Sequence, residues 1–430
     1  MDSEIFLHPF TSPGGRKVIL NSLTLEICPV PGKPSPFDPD RLLQKYRSFS
    51  LSPGVTMATF FVTGACPRKC GYCFVPATLG TMTGAEVRNG MELFRKMAAD
   101  KADILIYGGE PLLEPELVMG IIKNAQPGHN LCLATGGLEF PERIAESMAE
   151  RDGFVIVSMD GREDIHNALR PLPGRNSHSM ALKTFSAFRS AGCRVGISMT
   201  VTRGNATRVR DDFLHLMDTL KPDDMGLNIW MHPGPGTPVN SFEARWQDVF
   251  EAITGCLRHA LAEGMYVEQL FRRLRPLVTS TPRLRDCPSR GGRLVFSPGG
   301  AVSPCDCMAA AGVYCARSPQ EVPSLLDSFA RLVPVYRDEC LSCPCVALCG
   351  GGCLYDAMAR TGSLTGVKEE RCSFERAFLQ WLLGLITDSL PPDRPPGPLS
   401  PSELAAFLPP GILDRARMPQ PEGMLGGELR

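Results

Sequence analysis

The sequence predicts an α/β protein: an open, partial (β/α)6 barrel followed by a cysteine-rich domain with little regular structure. Two observations predict it. Between residues 56 and 280, six apolar strand-like runs alternate with helical patterns, which implies a parallel sheet joined by right-handed crossovers. Beyond residue 286 the alternation stops, and ten of the 17 cysteines lie there. A chain of 430 residues has room for two or three domains of roughly 100–200 residues each. A full eightfold barrel would need more strand–helix units than fit before residue 280, so the barrel is expected to be partial and open.

The elements follow in order. Residues 1–55 carry two β-like runs, 5–9 and 17–29, on either side of the turn Pro13-Gly14-Gly15. A helix is expected to begin near Asp38–Asp40, where an acidic N-cap and first turn fit. The barrel strands are expected at 56–63, 104–107, 131–134, 154–158, 195–202 and 225–230. Helices are expected between them at 85–99, 115–125, 141–150, 179–191 and 209–220. A helix at 241–264 closes the domain, and 266–276 reads as helical too. The third region, 281–388, opens on a hairpin at 293–303 turning on Pro298-Gly299-Gly300 and ends in a helix at 373–386. Residues 389–430 are Pro-rich, with a short helix at 401–407, and are expected to be a mobile tail.

Composition narrows the function. Forty-five basic against 46 acidic residues give a net charge of −1, which argues against nucleic acid or an anionic membrane as partner. No run of about 18 apolar residues appears, and Met1-Asp2-Ser3-Glu4 lacks a basic leader. A cytoplasmic protein with neither membrane nor nucleic-acid partners is expected. In such a chain, five cysteines within the span 340–353 point to metal or iron–sulphur ligation rather than a disulfide framework. Cys28, Cys132, Cys193 and Cys256 sit in apolar surroundings and read as small core residues.

The first expected barrel strand runs into Cys66-Pro67-Arg68-Lys69-Cys70-Gly71-Tyr72-Cys73. Three loop cysteines at this spacing suit three irons of a 4Fe–4S cube with the fourth iron free of protein; a three-cysteine zinc site with a distant fourth ligand is the alternative. Loops at the C-terminal ends of barrel strands are where chemistry is placed. The pattern, with the aromatic Tyr72 before the third cysteine, resembles the radical S-adenosylmethionine (SAM) superfamily. The resemblance implies that Cys66, Cys70 and Cys73 hold a catalytic cluster whose open iron is chelated by SAM. One-electron reduction then cleaves SAM to a 5′-deoxyadenosyl radical that abstracts hydrogen. Gly108-Gly109-Glu110, ending the second strand, resembles that family's SAM-binding GGE motif, its glycines letting backbone approach the ligand and Glu110 accepting from the SAM ammonium group. Ser158 and Arg170, in a segment resembling the S-x-D-G…H…R stretch of peptide and protein maturases, suit the SAM carboxylate. Asp160 and His166 in that stretch are read equally well as structural, and Thr135-Gly136-Gly137 departs from the expected Thr-Asn-Gly.

The later cysteines resemble the SPASM extension of such maturases, which houses two auxiliary 4Fe–4S clusters. By motif position Cys287, Cys305 and Cys353 would hold the first, and Cys340, Cys343, Cys349 and Cys372 the second. A fourth ligand to the first is expected six residues after Cys287, where this chain has Arg293. Either Cys307, Cys315 or Cys345 substitutes, or one iron is open to a substrate thiolate. The resemblance implies a ribosomal-peptide maturase that installs an intramolecular thioether or carbon–carbon cross-link. Its cofactors would be three 4Fe–4S clusters and SAM. Its partners would be a precursor peptide, an electron donor such as flavodoxin or ferredoxin, and a separate leader-recognition protein if residues 1–55 do not offer an edge strand to the leader. Two alternatives stand beside it. One is an anaerobic sulfatase maturase, which needs an Asp base where 266–274 offers only Glu268; the other is a non-catalytic iron–sulphur carrier or zinc protein.

Overall fold

The computed structural model describes residues 1–51, 54–138, 142–230 and 242–410. The N-terminal segment forms an antiparallel sheet of three strands, β1 (Leu7–Thr11), β2 (Lys17–Asn21) and β3 (Ile27–Pro29), followed by helix α1 (Pro39–Ser50). Asp38 caps α1 by accepting from the Arg41 amide at 3.1 Å, with Pro39 in the first turn, as the acidic start suggested. The second β-like run is two strands because Leu25 takes a left-handed conformation, φ 64°, and turns the chain back.

The barrel strands are β4 (Val55–Phe61), β5 (Ala98–Tyr107), β6 (Asn130–Thr135), β7 (Phe154–Ser158), β8 (Arg194–Val201) and β9 (Met225–Ile229), each parallel to the next. Between them lie α2 (Gly84–Met97), α3 (Pro115–Asn124), α4 (Glu142–Glu150), α5 (Glu163–Leu169), α6 (Ser177–Ser190) and α7 (Val209–Leu220), with α8 (Trp246–Ala262) and α9 (Glu268–Thr279) closing the domain. β4 is apolar along almost its whole length and buried at six of seven positions, as a parallel strand covered on both faces must be. α2 begins with a capping box between Thr83 and Glu86. α5 was not expected; its seven residues carry His166 and deliver Arg170.

The sheet does not stop at six strands. The hairpin β10 (Arg293–Phe296) and β11 (Val302–Ser303) from the cysteine-rich region adds to it, β10 pairing parallel with β4. The sheet order is β11-β10-β4-β5-β6-β7-β8-β9. Phe60 of β4 stacks on Phe296 of β10 at 4.9 Å, a contact adding about 0.5–1.5 kcal/mol beyond its buried area. The rest of the region holds α10 (Asp306–Ala311), α11 (Val322–Ala330), α12 (Asp338–Leu341), α13 (Leu354–Thr361) and the long α14 (Glu369–Asp388).

The N-terminal segment is tied to this region. Phe6, Leu23, Leu43 and Tyr46 share a core with Leu284, Val333, Val335 and Val346, and Arg47 donates to the Val335 carbonyl at 2.9 Å. Of the stretch expected as a mobile tail, residues 389–410 lie against the protein. The Leu399 amide donates to Ile27 on the outer edge of β3 at 2.8 Å, Arg394 ion-pairs with Glu403, and α15 (Pro401–Leu404) packs on α9. Residues 411–430 lie outside the described part. Among the described residues, no helix is long and apolar enough to cross a membrane.

Candidate active site

The cysteine loop leaves the C-terminal end of β4 and is pinned by its own Arg68. That side chain is buried; Nη2 donates to the Gly137 carbonyl at 2.6 Å and Nε to Ser177 at 3.2 Å, while Nη1 lies 3.8 Å from Glu110. Lys69 N donates to the Pro171 carbonyl at 2.9 Å. Cys66 and Cys70 are half-buried and Cys73 is exposed. Burial pushes the Cys66 thiol up and takes that of Cys70 to about 11, the latter opposed by Arg170. A buried thiolate needs cationic or metal compensation.

Gly108 and Gly109 also allow a close approach within the protein itself. What approaches their backbone is the cysteine loop. The Gly109 amide donates to the Thr63 carbonyl at 2.6 Å and the Glu110 amide to Ala65 at 2.9 Å. Gly108 has φ +150°, and a Cβ there would lie 2.5 Å from the Thr63 carbonyl oxygen; one on Gly109 would collide with the Ala65 carbonyl. The pair lets the end of β5 and the cysteine loop touch backbone to backbone.

Glu110 is fully buried and already engaged. It accepts from the Thr135 hydroxyl at 2.7 Å, the Gly136 amide at 2.9 Å and the Leu112 amide at 3.1 Å. Burial pushes its carboxyl up against these donors. It ties the ends of β5 and β6 together, and Thr135-Gly136-Gly137, to which the sequence lent no role, is its partner.

Arg170 is likewise committed. Its Nε and Nη2 grip Asp160 in a bidentate pair at 2.8 and 3.1 Å, and its guanidinium lies 5.4 Å from the Tyr72 ring centre. Tyr72 donates its hydroxyl to the same carboxylate, and the Thr200 amide donates to it at 2.9 Å. His166, buried, accepts at Nδ1 from the Asp160 amide at 3.4 Å, so its Nε2 carries the proton and donates to Ser177 at 3.0 Å. Burial first and Arg170 second hold its pKa down to about 3, so the ring is neutral. A continuous network therefore runs Arg68–Ser177–His166–Asp160, and Asp160 holds both Tyr72 and Arg170. Ser158 ends β7, half-buried and in register with Ser198, which accepts from Asn228 at 2.8 Å. Sequence reasoning missed Ser198 and Asn228 because polar residues on a strand carry no spacing signature.

The second cysteine set falls into two neighbourhoods. Cys353 is raised by burial and by Cys305 and Cys287, and Cys305, Cys307 and Cys353 pack in one cluster with Phe74 from the first cysteine loop. Cys349 lies within electrostatic reach of Cys343 and Cys340, and Cys372 of Cys343. Cys345 is in direct contact with Cys343. The first neighbourhood reaches the barrel mouth. Burial raises the Tyr107 phenol well above its ordinary value, and Cys73, Asp306 and Cys307 raise it further; Phe61, Phe74 and Tyr107 form an apolar wall with Ala309 and Ala310 of α10. Asp306, also missed, ion-pairs with Arg293 at 2.5 Å there. Glu268 lies at the opposite end of the barrel, bonded to Tyr266 beside Asp224, which precedes β9.

The donor set fits iron–sulphur clusters. Its candidate ligands are all thiols, and the thiolates of a cube each bind a separate iron. Arg290 supplies the sharper test. It is fully buried beside Cys287 and Cys349. Nη2 donates to the Gly351 and Gly352 carbonyls at 2.9 and 2.6 Å, while Nε and Nη1 have no hydrogen-bond partner. Buried guanidinium donors left unpaired are costly, and an anionic cluster on either side would satisfy them.

Residues 60–218 match the model of the radical SAM superfamily. That match spans 159 of the 430 residues and takes in the first cysteine loop and the strands β5 to β8. The chain is 24% identical over 356 residues to an uncharacterized protein of Archaeoglobus fulgidus, covering 78% of this chain and 82% of that one. Its fold is that of anSMEcpe with bound AdoMet and the Kp18Cys peptide, at TM-score 0.66, 18% identity and coverage of 76% and 97% of the two chains. SuiB of Streptococcus suis bound to its precursor peptide SuiA follows at TM-score 0.56, 15% identity, and 79% and 82% coverage. The family implies a 4Fe–4S cluster and SAM.

Proposed function

We propose that the protein is a peptide maturase that installs an intramolecular thioether or carbon–carbon cross-link in a ribosomally made precursor peptide. The observation that carries this reading is the meeting of the two cysteine regions across Phe74 and Tyr107, where Tyr107 lies within electrostatic reach of both Cys73 and Cys307. A cross-link removes two protons and two electrons; one of each leaves as the abstracted hydrogen atom and the other electron needs an acceptor, so a hydrogen-abstracting centre and an electron acceptor must stand close together. The printed partners of two proteins with this fold, Kp18Cys and SuiA, are peptides.

In this reading Cys66, Cys70 and Cys73 hold the SAM cluster, Cys287, Cys305 and Cys353 the first auxiliary cluster, and Cys340, Cys343, Cys349 and Cys372 the second. When bound, the cluster and SAM supply one-electron cleavage and hydrogen abstraction. Arg68 fixes the cysteine loop, Asp160 orients Tyr72 and Arg170 beside it, and the wall of Phe61, Phe74 and Tyr107 keeps water from the mouth. Gly108, Gly109, Glu110, Ser158 and Arg170 would hold SAM, with Ser198 and Asn228 extending the polar face beside Ser158. Of the two edges of the N-terminal sheet, β3 already bonds Leu399, so β1 is the edge to offer a leader peptide. Flavodoxin or ferredoxin would supply electrons, in the cytoplasm.

A second reading, formylglycine formation on a sulfatase, is favoured by Asp306. That reaction needs an Asp base, and a carboxylate does stand at the mouth. Anaerobically reconstituted protein given SAM and dithionite is expected to release 5′-deoxyadenosine, and the Cys66/Cys70/Cys73→Ala variant is expected not to. Given a cysteine-containing precursor peptide, loss of two hydrogens without reactivity to hydrazide supports the cross-link. A hydrazide-reactive aldehyde would move the assignment to formylglycine formation.

A further inference from the structure

We infer that Cys307 is the fourth thiolate of the first auxiliary cluster, which leaves no iron of that cluster open to substrate. The inference rests on reading residues 287–372 as the two-cluster domain. The position at which a fourth ligand was expected, six residues after Cys287, holds Arg293. That side chain is buried and occupied: Nη1 pairs with Asp306 at 2.5 Å, and Nη2 lies 2.9 Å from the Met57 sulfur. It has no ligating atom to offer, and its cationic head faces Cys287, Cys305 and Cys307, where it compensates thiolate charge.

Three other cysteines are candidates, and the fold separates them. Cys315 turns to the Val313 carbonyl at 3.3 Å and has Ser303 and Arg317 as its polar neighbours, with no other cysteine among them. Cys345 is buried against Cys343, with Cys349 and Glu375 around it, and belongs to the second neighbourhood. Cys307 is buried two residues from Cys305, and both pack with Cys353 in one cluster. α10 brings this about: Cys305 precedes its first residue, and the Ala309 amide donates to the Cys305 carbonyl at 2.9 Å. With Cys287 and Cys353 the set is four thiols. On loading, the Cys307 thiol gives its proton to solvent and its thiolate takes the iron.

The consequence concerns the reaction. A substrate thiolate could bind the first auxiliary cluster only at an open iron. With Cys307 in place, that cluster accepts the surplus electron without holding the substrate.

The test uses anaerobically reconstituted full-length protein, saturated with SAM so that the open iron of the first cluster is filled. Isotopically labelled cyanide is then added, and its hyperfine coupling to the reduced clusters is read by pulsed electron paramagnetic resonance. Wild type, at about twelve irons per chain, is expected to show no coupling. Cys307→Ala is expected to gain coupling at one cluster and to give a three-iron signal on mild oxidation, whereas Cys315→Ala and Cys345→Ala gain neither. Coupling already present in wild type, or appearing with Cys315→Ala or Cys345→Ala instead, overturns the inference. Should Cys307→Ala fail to fold, Cys307→Ser and the wild-type spectrum still decide it. An iron content of about four per chain would overturn it by removing the auxiliary clusters, while leaving 5′-deoxyadenosine release, and hence the radical chemistry, standing.

Discussion

Asp160 is the residue on which the polar network beside the first cysteine loop turns. Its carboxylate is fully buried and receives Arg170 bidentately, the Tyr72 hydroxyl and the Thr200 amide. Removing its charge strands a buried guanidinium, so Asp160→Asn should cost about 3–5 kcal/mol. A lowered thermal midpoint together with weakened SAM binding would show it; an unchanged midpoint would mean Arg170 finds another partner. His166 ties the same network to Arg68 and makes it acid-sensitive. Its folded pKa, about 3, lies below its ordinary 6.5, so between those values the unfolded chain binds the extra proton. Stability is therefore expected to fall as pH drops from about 6.5 toward 3, and this slope should flatten in His166→Gln. Parallel slopes in the two proteins would assign the acid sensitivity elsewhere.

At the scale of elements, the contact between the cysteine loop and the end of β5 decides whether the first cluster can assemble. Gly109→Ala places a methyl group against the Ala65 carbonyl, and the loop must give way because β5 is held on both sides by β4 and β6. The expected outcome is loss of about four irons per chain with the circular dichroism of the barrel intact. Full iron content would show that the loop tolerates the shift. The strands and most helices were legible because apolar runs covered on both faces read as parallel strands. α5 was not: its seven residues carry too few apolar positions to show a period. The addition of β10 to β4 was equally hidden, since pairing between strands more than 230 residues apart leaves no local trace.

For the whole molecule, the N-terminal segment acts as a brace between the cysteine-rich region and the C-terminal end of α14. Leu43 and Tyr46 of α1 share a core with Val335 and Val346, while Ser12 bonds Asp388 at 2.6 Å. Leu43→Ala should cost about 2–5 kcal/mol. It should also speed iron release to a chelator from the auxiliary clusters more than from the SAM cluster. Equal rates of loss would mean that the brace is not specific to that region.

The order of barrel and cysteine-rich region, the grouping of the cysteines and the loop that carries the first three of them were determined by the sequence alone. Spacing of ligands and period of apolar residues are local properties, and local properties are written in the chain. Tertiary structure decided who meets whom. It gave Glu110 to Thr135 and Gly136, Arg170 to Asp160, and the glycine pair to the backbone of the cysteine loop. It also drew Cys307 beside Cys305 and Cys353. Each of those partners lies on a different element, and a charged or polar side chain buried away from water must find its counterpart wherever the packing of elements places one.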